Sequence, residues 1–237
     1  MKALPQVTLF GLDCVNIDRL LLAAEICQKD FIFGAVKLLT SIRSTHPDII
    51  TIPKVSSTAQ YSEFMIKKLN RYIDTNFALI IQHDGFILNP AAWTDAFLKY
   101  DYIGAPWAHV PGADVGNGGF CLRSKKLIKL IHDNYRTLGG TLHPEDKYIS
   151  LTARPFLESK GVRFAPESVA ARFSMEGSEK YGVTWENQFG FHGLRWTDIS
   201  RWRAKHPEYT IDNALDSWAL GIKATVETGG TKTNVGN

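Results

Sequence analysis

Apolar positions along the first hundred residues switch between two periods. Val7 to Leu12 is a short run rich in strand formers that ends at Asp13. Asn16 then stands where a helix N-cap is expected, ahead of an apolar face at Ile17, Leu20, Leu21, Ala24 and Cys27. Val36 to Thr40 and Ile49 to Val55 read as two more strands. Pro53 interrupts the second, which is therefore predicted to be short or near a sheet edge. Ser62 is the expected cap of another helix, whose stripe runs Met65, Leu69, Tyr72 and Ile73. Phe77 to Gln82 is nearly all apolar, as a central strand covered on both faces requires. This order predicts an α/β fold with a mixed, mostly parallel central sheet flanked by helices.

The second half carries more glycine and aromatic residues. Gly118 to Arg123 reads as a strand, and Lys125 to Tyr135 and Pro144 to Leu151 as helices. From Thr225 the chain is polar and glycine-rich, so 225–237 is expected to be a mobile tail behind a single domain over 1–224. No internal repeat is visible.

Composition narrows the function. The chain has 237 residues, 44% of them hydrophobic and 22% charged, which suits one soluble domain and excludes wholesale disorder. A net charge of +3 without a run of like charges gives no footprint for nucleic acid. No stretch approaches the length of a spanning helix, and the N-terminal apolar run, interrupted by Asp13, does not read as a signal peptide. Cys14, Cys27 and Cys121 stand in no paired spacing, which suits a reducing cytoplasm.

In sheets of this kind ligands sit beyond the carboxyl ends of the strands, where Asp13 and His83-Asp84-Gly85 are expected. A carboxylate held after a buried strand suits a divalent cation and, through it, a diphosphate; Asp84-Gly85 can equally be a turn. Gly116-Asn117-Gly118-Gly119 frees backbone amides for a ligand or merely turns the chain before a strand. Glu145 and Asp146 are either ordinary acids at a helix start or a general base. His192, between glycines and aromatics in Phe189-Gly190-Phe191-His192-Gly193, is a pocket-wall group or a structural histidine; Arg172 and Glu176 lie shortly before it. Trp107, Trp185 and Trp196 are open between sugar-stacking surfaces and core residues. The stretch from Trp196 to Arg203 suits either docking on a membrane or packing on the domain. No motif for a hydrolytic triad or a structural zinc occurs.

Seven segments carry a family resemblance in order: Leu4-Pro-Gln-Val-Thr-Leu, Tyr61-Ser-Glu-Phe, Gln82-His-Asp-Gly-Phe-Ile-Leu-Asn-Pro, Tyr100-Asp-Tyr-Ile-Gly-Ala-Pro-Trp, Gly116-Asn-Gly-Gly-Phe, Pro144-Glu-Asp and Phe189-Gly-Phe-His-Gly. Over about Leu4 to Leu194 the chain resembles a bacterial and viral family of uncharacterised, glycosyltransferase-like proteins with a GT-A fold. The resemblance implies a Rossmann-like nucleotide-binding half, about 1–110, joined to an acceptor half, about 111–224. It implies transfer from a nucleotide-diphosphate sugar to a glycan or glycolipid acceptor in surface polysaccharide assembly, with cytoplasmic or membrane-peripheral placement. Asp84 falls on the last acid of the Asp-x-Asp motif, with Gln82 replacing the first, and His192 would complete a Mn²⁺ or Mg²⁺ shell with Asp84. Asp13, Tyr61, Gln82, His83, Asp84, Asn117, Gly118 and Gly119 would meet the nucleotide sugar. Asp146, with Glu145 behind it, would take the place of the catalytic base, a pairing that favours inversion.

Overall fold

A computed structural model of the chain describes residues 1–107, 110–111, 113–177 and 182–211. The expected tail at 225–237 lies outside the described residues. Strand β1 (Lys2–Leu12) leads through the Asn16-capped helix α1 (Ile17–Gln28) to β2 (Phe31–Thr40) and the short β3 (Ile49–Thr51). Helix α2 (Thr58–Lys67) precedes β4 (Phe77–Ile81). The strands β5 (Tyr102–Ile103), β6 (Ala105–Pro106), β7 (Val115–Gly116) and β8 (Cys121–Ser124) follow. Helices α3 (Lys125–Leu138), α4 (Glu145–Lys147), α5 (Arg154–Ser159) and α6 (Glu167–Phe173) come next. The described chain closes with β9 (Ser174–Glu176), β10 (Val183–Thr184), β11 (Gly190–His192), β12 (Thr197–Asp198) and α7 (Ser200–Arg203).

The central sheet has six strands in the order β3-β2-β1-β4-β8-β5. The first four run parallel, and β8 is antiparallel to both of its neighbours. The expected mixed, mostly parallel sheet is therefore present. β3 ends at Thr51, before Pro53, and sits at the sheet edge as its proline predicts. β4 sends Leu79 and Ile81 to one hydrophobic core and Ala78 and Ile80 to the other, the two-residue alternation of a strand covered on both faces.

Several boundaries differ from the sequence reading. β1 and β2 begin earlier, at Lys2 and Phe31, because they pair from Lys2↔Phe31 onward. Helix α2 is capped by Ser57, whose hydroxyl accepts the Gln60 N–H, and not by Ser62. Ser62 lies inside the helix, fully buried, and Leu69 starts a separate 3-10 turn. The strand expected at Gly118 starts only at Cys121, because the Asn117 side chain accepts the Gly119 and Phe120 N–H groups and holds a loop. The helix expected over Pro144 to Leu151 is the single turn α4 followed by a π-helical turn, Tyr148–Thr152. α7 packs on the domain: Trp202 is buried and meets Phe86 edge-on.

Topology brings distant segments to one edge. Because β8 is antiparallel to β4, with Ile80 opposite Cys121, the loop before β8 lies beside the turn after β4. Helix α3 then runs back along the sheet for 14 residues, about 21 Å, and ends at Gly139, whose φ of +65° a side chain disfavours. The acids of α4 return to the same edge.

Candidate functional site

After β4 the chain makes a tight turn: Gln82 and Gly85 exchange N–H to C=O hydrogen bonds at 3.0 and 3.1 Å. The turn reading of Asp84-Gly85 thus holds, and the side chains of the turn line two cavities. Gln82 and Asp84 face a cavity of about 190 Å³ on the α2 side. His83 faces a separate cavity beside Asn16, Arg19 and Phe86. Tyr61, Gly118, Gly119, Glu145, Asp146, His192 and Trp196 line the same cavity as Asp84.

His192 reaches it through β11, which pairs in parallel with β9 so that His192 lies opposite Glu176. The Gly193 N–H donates to the Asp84 carbonyl at 2.8 Å, tying β11 to the turn. His192 Nδ1 donates to Glu176 Oε1 at 2.8 Å, while Nε2 points to Gln82 Oε1 at 3.3 Å and Asp84 Oδ1 at 3.7 Å. Burial pulls the imidazole pKa down, but the charges of Asp84 and Glu176 outweigh it and raise it to about 9. Without a bound cation His192 is therefore an imidazolium at neutral pH.

Asp84 Oδ1 is a buried carboxylate oxygen with no hydrogen-bond partner. Such an atom is costly unless a charge meets it. With Gln82 Oε1 and His192 Nε2 it supplies a carboxylate, an amide oxygen and an imidazole nitrogen, a donor set that fits a divalent cation. Among the described residues no group of three His, Cys, Asp or Glu side chains could hold a metal ion, so a cation here would have to draw on the Gln82 amide oxygen as well.

The two adjacent acids of α4 have separate fates. Glu145 is buried, with Oε1 3.3 Å from Arg123 Nη2 and Oε2 accepting the Ser62 hydroxyl at 3.0 Å. Both oxygens are engaged in an internal network with Arg123 and Ser62. Ser62 spends its only proton on that carboxylate, so its contact with His143 Nδ1 at 2.9 Å is donated by the imidazole. Asp146 is half-buried in the cavity wall and accepts the Gly118 and Lys147 N–H groups. Burial, reinforced by the charges of Glu145 and Glu176, pushes its carboxyl up to about 7. That value suits an acid–base group working near neutral pH.

Gly118 and Gly119 line the cavity for a packing reason. A Cβ on Gly118 would lie 2.2 Å from Glu145 Oε1, and one on Gly119 would lie 2.1 Å from His192 Nε2. Tyr61 is buried beside Gln82; burial first and Glu145 second push the phenol pKa up, so it stays protonated.

Three expected contacts are not brought to this cavity. Asp13 Oδ1 accepts the Val15 and Asn16 N–H groups, and Oδ2 pairs with Arg19 Nε at 2.8 Å, so it fastens the entry to α1. His83 lines the separate cavity, although its Nδ1 lies 3.6 Å from Asp84 Oδ1, and Asn117 is fully buried beneath the glycine loop. Trp107 and Trp185 are core residues, with indole N–H groups donating to Glu176 Oε2 and the Gln188 carbonyl. Sequence reasoning missed Arg123, Ser62 and His143. The only trace of Arg123 in the sequence is a charge inside an apolar strand run.

None of the curated proteins matches the chain. Among solved structures, it aligns with the glycosyltransferase GlyE of Streptococcus pneumoniae TIGR4 at 11% identity and TM-score 0.42, over 97% of this chain and 66% of that one. The apo form of GlyE aligns at 11% identity and TM-score 0.38, over 94% and 63%. The chain thus spans just under two thirds of the length of these structures. Residues 48–192 match the family described as protein of unknown function (DUF5672), and that segment holds every cavity residue named above except Trp196. The chain belongs to the DUF5672 family.

Proposed function

We propose that the protein is a glycosyltransferase of GT-A type, moving a sugar from a nucleotide diphosphate to a hydroxyl of a glycan or glycolipid, with inversion. The observation that carries this reading is the convergence of Asp84, His192 and Asp146 on one cavity at the carboxyl edge of β4. The mixed sheet, with antiparallel β8 beside β4, supports the GT-A assignment.

Breaking the sugar–phosphate bond builds negative charge on the leaving diphosphate. Asp84, Gln82 and His192 would hold Mn²⁺ or Mg²⁺, which supplies electrostatic stabilisation of that charge. Asp146 accepts the proton of the acceptor hydroxyl as that oxygen attacks the anomeric carbon. Glu145, paired with Arg123, keeps a second carboxylate beside it and so raises its basicity. Gly118 and Gly119 line the cavity where a sugar ring would sit, with Trp196 at its side. The cellular role we assign is surface polysaccharide assembly at the cytoplasmic face of a membrane. Among the described residues no helix is long and apolar enough to cross a membrane.

A second reading, a catalytically silent module that binds a nucleotide or glycan, is favoured by Gln82, which gives the cation one carboxylate fewer. A thermal-shift screen of nucleotide sugars with and without Mn²⁺, followed by a transfer assay on the hits, separates the two. Binding with transfer supports the enzyme, and binding without transfer under any acceptor supports the module.

A further inference from the structure

The geometry points to Glu176 as the positioning residue that aims the His192 Nε2 atom at Asp84, with Trp107 as its anchor. This rests on the cation reading of the site and extends it to residues that touch no ligand.

Glu176 is held at both ends. Its Oε1 accepts His192 Nδ1–H at 2.8 Å, and its Oε2 accepts Trp107 Nε1–H at 3.0 Å. A carboxylate gripped from two elements cannot rotate freely, and it only accepts, so it fixes Nδ1 as the donor. The lone pair available to a cation is then on Nε2, which faces Gln82 Oε1 and Asp84 Oδ1. The backbone sets the same arrangement, since the parallel register of β9 and β11 puts Glu176 opposite His192. The ring has little room to turn: Gly119 and Gly85 close on it, with ideal Cβ positions 2.1 Å from Nε2 and 3.1 Å from Cδ2. Carboxylates that orient a ligating imidazole in this way are worth about 10–100-fold in metal affinity.

The test is Mn²⁺ binding to the full chain in the presence of UDP, read by calorimetry and by pulsed electron paramagnetic resonance for nitrogen coupling to the bound ion. Wild type should bind Mn²⁺ with nitrogen coupling. Glu176→Gln, nearly isosteric, should weaken binding by about 10–100-fold and diminish the coupling, and Trp107→Phe should act in the same direction by less. In a His192→Asn background Glu176→Gln should add nothing, because the residue it positions is gone. Equal affinity and equal coupling in wild type and Glu176→Gln would overturn the role of Glu176 and leave the cation site standing. Wild type that binds Mn²⁺ without nitrogen coupling removes His192 from the shell, and wild type that binds no Mn²⁺ removes the cation reading itself; either result takes this inference with it.

Discussion

Asp84 Oδ1 and His192 Nε2 stand 3.7 Å apart, one at the end of the innermost parallel strand and the other on a two-stranded ribbon from the far end of the domain. That pairing turns a tight turn into a charged pocket wall, and the chemistry proposed here follows from it.

Asp84→Asn removes the carboxylate charge facing His192 and leaves the backbone turn intact. We expect sugar transfer to be lost with little change in melting temperature. In wild type, calorimetry should show Mn²⁺ strengthening UDP binding. UDP affinity unaltered by excess chelator would instead leave the diphosphate facing the His192 imidazolium alone.

Asp146→Ala should slow transfer by about 10²–10⁴-fold while donor binding stays near wild type. Because the group must be ionised to act, kcat/KM should rise with pH through about 7, where its carboxyl titrates. A mild effect of the substitution, or a rising limb near the ordinary carboxylate range, moves the proton acceptor elsewhere.

Stability in chelator should fall as pH rises, in two steps. Asp146 is raised from 3.8 to about 7, so the folded state holds a proton the unfolded chain has released across that interval. His192 is raised from 6.5 to about 9, so its contribution is complete below 6.5 and gone above 9. Urea melts from pH 4 to 10 check this. His192→Gln should flatten the upper step and Asp146→Asn the lower one.

Gly119→Ala places a methyl 2.1 Å from His192 Nε2. The ring is held by Glu176 on its other side, so the cost should be about 1–3 kcal/mol in a denaturant titration, with loss of Mn²⁺ binding. A variant with wild-type stability and wild-type Mn²⁺ affinity would show that the ring can move aside.

Much of the frame was legible because it rests on local periods. The alternation in β4, the Asn16 cap of α1 and the edge position of β3 before Pro53 all follow from short stretches of chain. The family that the ordered motifs resemble points to Gln82, Asp84, Gly118, Gly119, Asp146 and His192, and these residues line one cavity. Ser62 shows where local reasoning stops. Its residue type suits a cap, yet Ser57, five residues earlier, takes that place and Ser62 turns inward to Glu145.

The chain's own pattern therefore determined the sheet, the acid that follows its buried strand, and the glycine loop and acid pair that come later. Tertiary structure alone decided what each polar side chain meets. Glu145 and Asp146 are neighbours of the same chemical type, but Arg123 neutralises one while the cavity wall raises the pKa of the other. Asp13 looked as exposed to ligand as Asp84 and is instead consumed by Arg19 and two backbone amides. The physical reason is that a carboxylate's role depends on the charges and donors within a few ångströms of it, and folding brings those from distant parts of the chain.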